Sequence, residues 1–202
     1  DGLIELMDCG KAVMASGTSL SLSEEGLRHF LEHLDRYKDK VVLRDSEISN
    51  SAEVIRRLGV ISMNTAIEAD IYGNINSSHM SGTNIYNGIG GSGDYARNAS
   101  LTIFMTNSTA KDGRISSIVP MVTHTDHTEH DVDVLVTEQG LADLRGKAPK
   151  ERARLIIANC AHPDYRPQLA EYFEKACRLS ANAQTPHILG ECFSFHQRLA
   201  ET

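Results

Sequence analysis

No apolar run in this 202-residue chain approaches the roughly 18 residues that a membrane-spanning helix requires. Positive charge is also scarce: 20 Lys and Arg against 27 Asp and Glu give a net charge of −7 and a pI near 5.7. That balance argues against nucleic-acid binding driven by global electrostatics. The four cysteines, Cys9, Cys160, Cys177 and Cys192, are scattered and form no C-x-x-C pair. Neither a zinc ribbon nor a disulfide framework is therefore indicated, and free thiols in a reducing, cytoplasmic setting are the expectation. Asp1–Glu5 carry neither the basic nor the apolar region of a secretory signal. Internal repeats and low-complexity segments are absent. What remains is ordinary for a soluble globular protein, with 41% hydrophobic and 23% charged residues. The length suits one sizeable domain, taken as residues 1–202, with a substantial buried core.

The most informative stretch is Asn87-Gly88-Ile89-Gly90-Gly91-Ser92-Gly93-Asp94-Tyr95-Ala96-Arg97-Asn98. Four glycines in six positions allow tight turns and close approach of a ligand to backbone amides. Such amides make a concave donor surface for an anion or a developing oxyanion. Gly88, Gly90 and Gly93 also satisfy G-x-G-x-x-G. A dinucleotide site, however, needs a strand before, a helix after and an acid about 20 residues on. Leu101–Met105 follows so closely, and reads so clearly as a buried strand, that no helix is expected between them. The dinucleotide reading fails on context; a plain surface loop is the bland alternative.

Coarse patterning gives strands interleaved with helices. Lys11–Ser16 and Val41–Arg44 read as strands, with an amphipathic helix from Ser23 through Leu27, Phe30, Leu31 and Leu34 between them. Asn50-Ser51-Ala52-Glu53 resembles a capping box for a short helix closed by Gly59. Val60–Met63 and Ala66–Asp70 read as strands, the second followed by a turn at Tyr72-Gly73-Asn74. Apolar runs at 101–106, 117–123 and 132–136 look like buried strands. Helices are predicted at 149–160, at about 164–179 and near 188–200. The class is α/β with a helical C-terminal tail.

Four separated motifs carry a resemblance: Asn64–Ser77, the glycine loop, Ile118–Val122 and Val136–Gly146. In this order they resemble the C-terminal half of the acetyl-CoA hydrolase/CoA-transferase family, in its succinate-type branch. The resemblance implies a twisted mixed sheet flanked by helices, as in CoA-transferases and sugar-phosphate isomerases. It also implies that an N-terminal domain and a nucleophilic glutamate lie outside this chain. It implies acyl-CoA and short-chain carboxylates as substrates, no resident cofactor, and a homodimer as the assembly. An acyl-CoA hydrolase and a non-catalytic CoA-binding or assembly domain stay open as alternatives.

Carried onto this sequence, the resemblance gives Gly91 an oxyanion-hole amide that also touches CoA. Asn50 becomes an active-site asparagine, although helix capping competes for the same side chain. Glu138, just past an apolar strand, receives a supporting role near the thioester; a surface glutamate is the bland reading. Ile67 and Asn87 match positions lining the CoA site. Lys111, with Arg97 and Arg114 nearby in sequence, could meet a CoA phosphate as a point charge, or be a solvated surface lysine. His124, His127 and His130, with acids between them, could offer ligands to zinc. The segment lies between apolar strands with its side chains pointing in varied directions, so no metal is expected there. A pH-sensitive hydrogen-bond network fits its histidines better.

Overall fold

The computed structural model describes the backbone of residues 1–200 and side chains through Gln197. The chain divides into two units, Asp1–Leu58 and Gly59–Thr202. The first unit runs α1 (Gly2–Asp8), β1 (Ala15–Gly17), α2 (Glu24–Glu32), α3 (Leu34–Tyr37), β2 (Val41–Leu43), α4 (Ser46–Ser49) and α5 (Ala52–Leu58). Ser23 starts α2 as predicted, its hydroxyl accepting the Gly26 N–H at 3.0 Å, while Glu24 and Glu25 complement the helix dipole. Of the expected apolar face only Phe30 is buried, stacked on Tyr37 at 5.3 Å; Leu27, Leu31 and Leu34 stay exposed. The core here is small, built from Ile4, Met7, Ala15, Phe30 and Tyr37. Strand pairing begins only at Ala15, opposite Val41, because the Lys11 and Ala12 amides are taken by the Leu6 carbonyl behind α1.

The second unit opens with β3 (Ile61–Thr65) and β4 (Glu68–Asp70), followed by β5 (Ile75–Asn76), β6 (His79–Met80) and β7 (Asn84–Ile85). Then come α6 (Ser92–Asn98), β8 (Leu101–Met105), β9 (Thr109–Ala110), β10 (Ile115–Ser116) and β11 (Ile118–Val119). It closes with β12 (Val134–Thr137), β13 (Gly140–Asp143), α7 (Pro149–Asn159), α8 (Arg166–Leu179) and α9 (Ser194–Ala200). The largest sheet has the order β13-β12-β8-β3. Its β3, β8 and β12 are parallel and β13 is antiparallel to β12. A second sheet, β11-β4-β5, is also mixed. Both support the α/β expectation, with the tail helical as predicted.

Two strand expectations shorten. Within 117–123 only Ile118–Val119 pairs, because Pro120 has no N–H to continue a ladder. Within Ala66–Asp70 only Glu68–Asp70 is strand. The last helix begins at Ser194 rather than near residue 188.

The core of this unit joins Ile71, Tyr72, Phe104, Leu135, Ile156 and Phe173. On α8 the buried residues Leu169, Tyr172, Phe173 and Ala176 fall at helical spacing. Fully burying one such aromatic contributes about 1.5–3 kcal/mol. The β12–β13 hairpin packs against α7 so closely that a Cβ on Gly140 would meet the Asn159 carbonyl oxygen at 2.9 Å, at a φ of +155°. Gly140→Ala should therefore cost more than about 1 kcal/mol, read as a lower urea midpoint. Gly190→Ala, in open space, should change little; an equal loss at both positions would contradict this account of the packing.

Candidate functional site

Because β3, β8 and β12 are parallel, their carboxyl ends share one edge, with Thr65 opposite Met105 and Met105 opposite Val136. Backbone bonds continue past the ends: Ala66 N–H reaches the Met105 carbonyl at 2.9 Å, and Thr106 N–H reaches that of Val136 at 3.1 Å. Three segments leave this edge: the predicted Ile67, with Ala66, the predicted Glu138, and Thr106–Ser108 between them in sequence. The crevice outside such carboxyl ends is where open α/β sheets bind ligands.

The glycine loop reaches the same edge, by a route the sequence reading missed. Ser92–Asn98 forms α6 between the loop and β8, where no helix was expected. Seven residues suffice because the chain turns into β8 within Ala99-Ser100. The helix runs back along β8. Near its end the Ala96 carbonyl accepts from Thr102 Oγ1 at 2.8 Å. At its start Ser92 Oγ meets His127 Nε2 at 2.9 Å, and the His127 ring packs on Phe104 with centroids 4.8 Å apart. Gly91 is the N-cap, at φ −84° and ψ 3°. It is Gly90, at φ +56°, that needs glycine for its conformation. Gly91 thus carries no demand for positive φ.

Both ends of the loop are tied to one segment, Ile75–Ser78. Tyr86 and Asn87 donate their backbone N–H groups to the Ser78 carbonyl at 2.8 and 3.2 Å, and Asn87 Nδ2 reaches the Ser77 carbonyl at 3.5 Å. At the other end, His127 pairs its backbone with Ile75. Ile67 joins the group by donating its N–H to the Asn76 carbonyl at 2.8 Å. Between these anchors, residues 83–90 are exposed.

Glu138 follows β12 directly and is held by three donors. The Ser108 N–H reaches Oε2 at 2.7 Å, Gln139 Nε2 reaches Oε1 at 3.0 Å, and the Ser108 hydroxyl donates to Oε1. Desolvation alone would raise its pKa, but these hydrogen bonds outweigh that and hold it down to about 2. Glu138 is therefore a fixed anionic acceptor at neutral pH, suited to orienting donors rather than to giving up a proton.

Lys111 sits in the exposed turn between β9 and β10, at φ +49°, followed by Asp112 at +55° and Gly113 at +84°. Two consecutive non-glycine residues in the left-handed region are uncommon, and such strain clusters at ligand clamps. Arg97 is engaged by Asp131 at 3.3 Å. Asn50 belongs to the first unit. There it closes α4 as its C-cap and accepts from Ser49 Oγ at 3.0 Å. The predicted capping box is overturned: α5 starts at Ala52, so Ser51 takes the N-cap position, and its carbonyl accepts from Ile55. The expected competition between capping and chemistry at Asn50 disappears with it.

The histidine segment splits three ways. His127 is buried, and that burial lowers its pKa and favours the neutral ring. His124 stacks on His79 at 3.8 Å and lies 3.3 Å from Asp126. His130 is exposed beside Glu129. Asp126 is itself occupied by Ser77 N–H and Ser78 Oγ. Among the described residues no group of three or more potential ligands converges on a metal position. Nor is any described helix long and apolar enough to cross a membrane. Ser92 and Ser108 escaped singling out because each acts on a partner 30 or more residues away. A serine carries no local signal of such a partner. Two clefts of about 400 Å³ lie elsewhere, one between α7 and α8 and one beside α1 and α2.

Residues 26–173 match the family model described as the acetyl-CoA hydrolase/transferase C-terminal domain. The succinyl-CoA:acetate CoA-transferase of Clostridium kluyveri is 58% identical over all 202 residues, which cover 37% of that protein. The propanoyl-CoA:succinate CoA transferase of Escherichia coli is 49% identical over the whole chain and 40% of its own length. An acetyl-CoA hydrolase of Eremothecium gossypii is likewise 49% identical, with 40% of its length covered. The chain thus spans about two fifths of these curated relatives. RipA from Yersinia pestis superposes with a TM-score of 0.70 at 26% identity, over 86% of this chain and 40% of its own. A 4-hydroxybutyrate CoA-transferase from Porphyromonas gingivalis, 24% identical, shares the fold with a TM-score of 0.64 over 87% of this chain and 43% of its own.

Since hydrogen bonds depress the Glu138 pKa, the stability they add is complete above the ordinary value of 4.5 and is lost as pH falls toward about 2. Ser108→Ala removes the hydroxyl donor and should move the Glu138 titration upward toward 4.5, followed by carboxyl carbon chemical shifts. A titration left near 2 would show that the hydroxyl is not what holds the carboxylate.

Proposed function

As the chain belongs to the acetyl-CoA hydrolase/transferase family, as its C-terminal domain, we propose that its parent protein exchanges coenzyme A between short-chain carboxylic acids such as succinate, acetate and propionate. The observation that carries this reading is the 58% identity, over every residue of the chain, to a protein named a succinyl-CoA:acetate CoA-transferase. Coenzyme A is a substrate here and not a resident cofactor. The N-terminal domain of the parent and a second copy of the whole protein are the proposed partners.

In this reading a glutamate from the rest of the parent attacks the acyl-CoA carbonyl, expels CoA thiolate and forms an acyl-glutamyl anhydride. The thiolate then attacks the glutamyl carbonyl, releasing the first acid and leaving a glutamyl-CoA thioester. A second carboxylate repeats the sequence in reverse. Splitting the exchange in this way is covalent catalysis with ping-pong kinetics. Each addition develops an oxyanion. The Gly91 amide, at the start of α6 on the carboxyl edge, is assigned to stabilise it, where one donor is worth about 10²–10³ in rate. Glu138, held ionised by Ser108 and Gln139, is assigned to orient polar groups around the thioester. Ile67 and Asn87 are assigned to line the CoA site, Lys111 to meet a phosphate, and Asn50 to act through its side-chain amide.

Purified full-length protein, given succinyl-CoA with and without acetate, should release CoA into acetyl-CoA only when acetate is present. Turnover to free CoA in water alone would assign the protein to hydrolysis instead, the activity named for the Eremothecium gossypii relative. The isolated 202-residue chain should bind CoA in titration calorimetry but show no exchange. Because Gly91 sits at φ −84°, alanine fits its backbone. Gly91→Ala should therefore lower kcat about a hundredfold with little change in melting temperature. A near-normal kcat would remove Gly91 from the oxyanion site.

A further inference from the structure

Glu68 opens β4 and is 9% exposed, an expensive place for a carboxylate unless its lone pairs are filled. Four donors fill them. Oε1 accepts from Asn76 Nδ2 at 3.0 Å, from Thr123 N–H at 3.1 Å and from Thr123 Oγ1 at 3.2 Å. Oε2 accepts from His196 Nε2 at 2.8 Å, a contact reaching across the sequence to α9. Burial would raise the Glu68 pKa, but the His196, Asn76 and Thr123 bonds outweigh it and leave the carboxyl below its ordinary value. An ionised carboxylate only accepts, so His196 must carry its proton on Nε2. Its other nitrogen, Nδ1, is buried with no hydrogen-bond partner among the described residues. Among the described residues, Glu68 is the hydrogen-bond partner that fixes the ring.

Asn76 is fully buried and passes this constraint on. Its Nδ2 also donates to the His79 carbonyl at 2.9 Å, while its Oδ1 accepts the Ser78 and His79 N–H groups at 3.2 and 2.9 Å. One side chain thus fixes the turn at 76–79, and the carbonyls of that turn hold the start of the glycine loop through Tyr86 and Asn87. The Asn76 carbonyl also holds Ile67. A continuous chain of contacts runs from α9 through His196, Glu68, Asn76 and Ser78 to Asn87.

We infer that Glu68 is a positioning residue for the glycine loop, and that His196 makes the C-terminal helix part of that device, so that seating α9 on Glu68 sets the loop geometry used in the reaction. This rests on the transferase reading for its catalytic consequence, whereas the mechanical coupling can be measured without any activity.

The test uses the full-length protein with His196→Leu, which removes the donor, and His196→Gln, whose amide can still donate to Glu68. Lys175→Ala, which removes the exposed pair with Glu191 on the approach to α9, serves as a control for general loosening of the tail. Amide hydrogen exchange is followed over residues 76–91, together with kcat, KM and melting temperature. His196→Leu should speed exchange in that segment and lower kcat by about 2- to 30-fold, the range expected for coupling through a packed network, with KM little changed. His196→Gln should recover most of both, and Lys175→Ala should affect neither. Unchanged exchange at 76–91 in His196→Leu would overturn the inference, as would equal effects from His196→Leu and Lys175→Ala. Faster exchange with normal kcat would retain the coupling but reject the loop's part in catalysis, and the positioning role with it. Full coupling with kcat loss in a protein that only hydrolyses acyl-CoA would uphold the inference while moving the reaction class.

Discussion

Parallel pairing of β3, β8 and β12 is the constraint from which the rest of the second unit follows. Parallel strands cannot be joined by a tight turn, so each connection must cross back over the sheet. The crossover into β8 carries the turn at 76–79, the glycine loop and α6. The one into β12 carries the Lys111 turn and the histidine segment. All of these connections leave from the carboxyl edge, where Ala66-Ile67 and Glu138 directly follow β3 and β12. The antiparallel β13 then seals one side, and its Gly140 lets α7 approach to backbone contact.

Polar burial does the finer placing. The loops over the carboxyl edge are too short and too exposed to be held by apolar packing, and residues 83–90 bury almost nothing. They are held by groups that cannot be left unpaired inside the protein. Asp126 gathers Ser77 and Ser78, Glu68 gathers Asn76 and Thr123, and His127 meets Ser92. Losing one partner of a buried pair costs the desolvation of the other, about 1–3 kcal/mol or more for a charge. That penalty, and not the modest net gain of each bond, keeps an exposed glycine loop in one place.

Glu138 and Glu68 show how two carboxylates near one edge are given different tasks by their surroundings. Glu138 is exposed yet strongly depressed in pKa, a stable anion facing outward. Glu68 is buried and saturated by donors from three separate segments, so its charge is spent inward on structure. Neither is arranged to exchange protons at neutral pH.

The sequence by itself determined the family, through four long motifs in order, and with it the α/β class. It also placed the features whose causes are local: Ser23 as a helix cap, Gly59 as a helix stop, and the periodic helices from Pro149 onward. It did not determine α6, because seven residues with two glycines in or beside them carry too weak a helical pattern. Nor could it place Asn50, whose capping signal was read one residue out of register with the helix that forms. The linkage of Glu68 to His196 spans 128 residues and leaves no mark in either neighbourhood. Local backbone preference and hydrophobic period are written along the chain. Which buried donor meets which buried acceptor is decided only when distant segments are packed together and each must be satisfied.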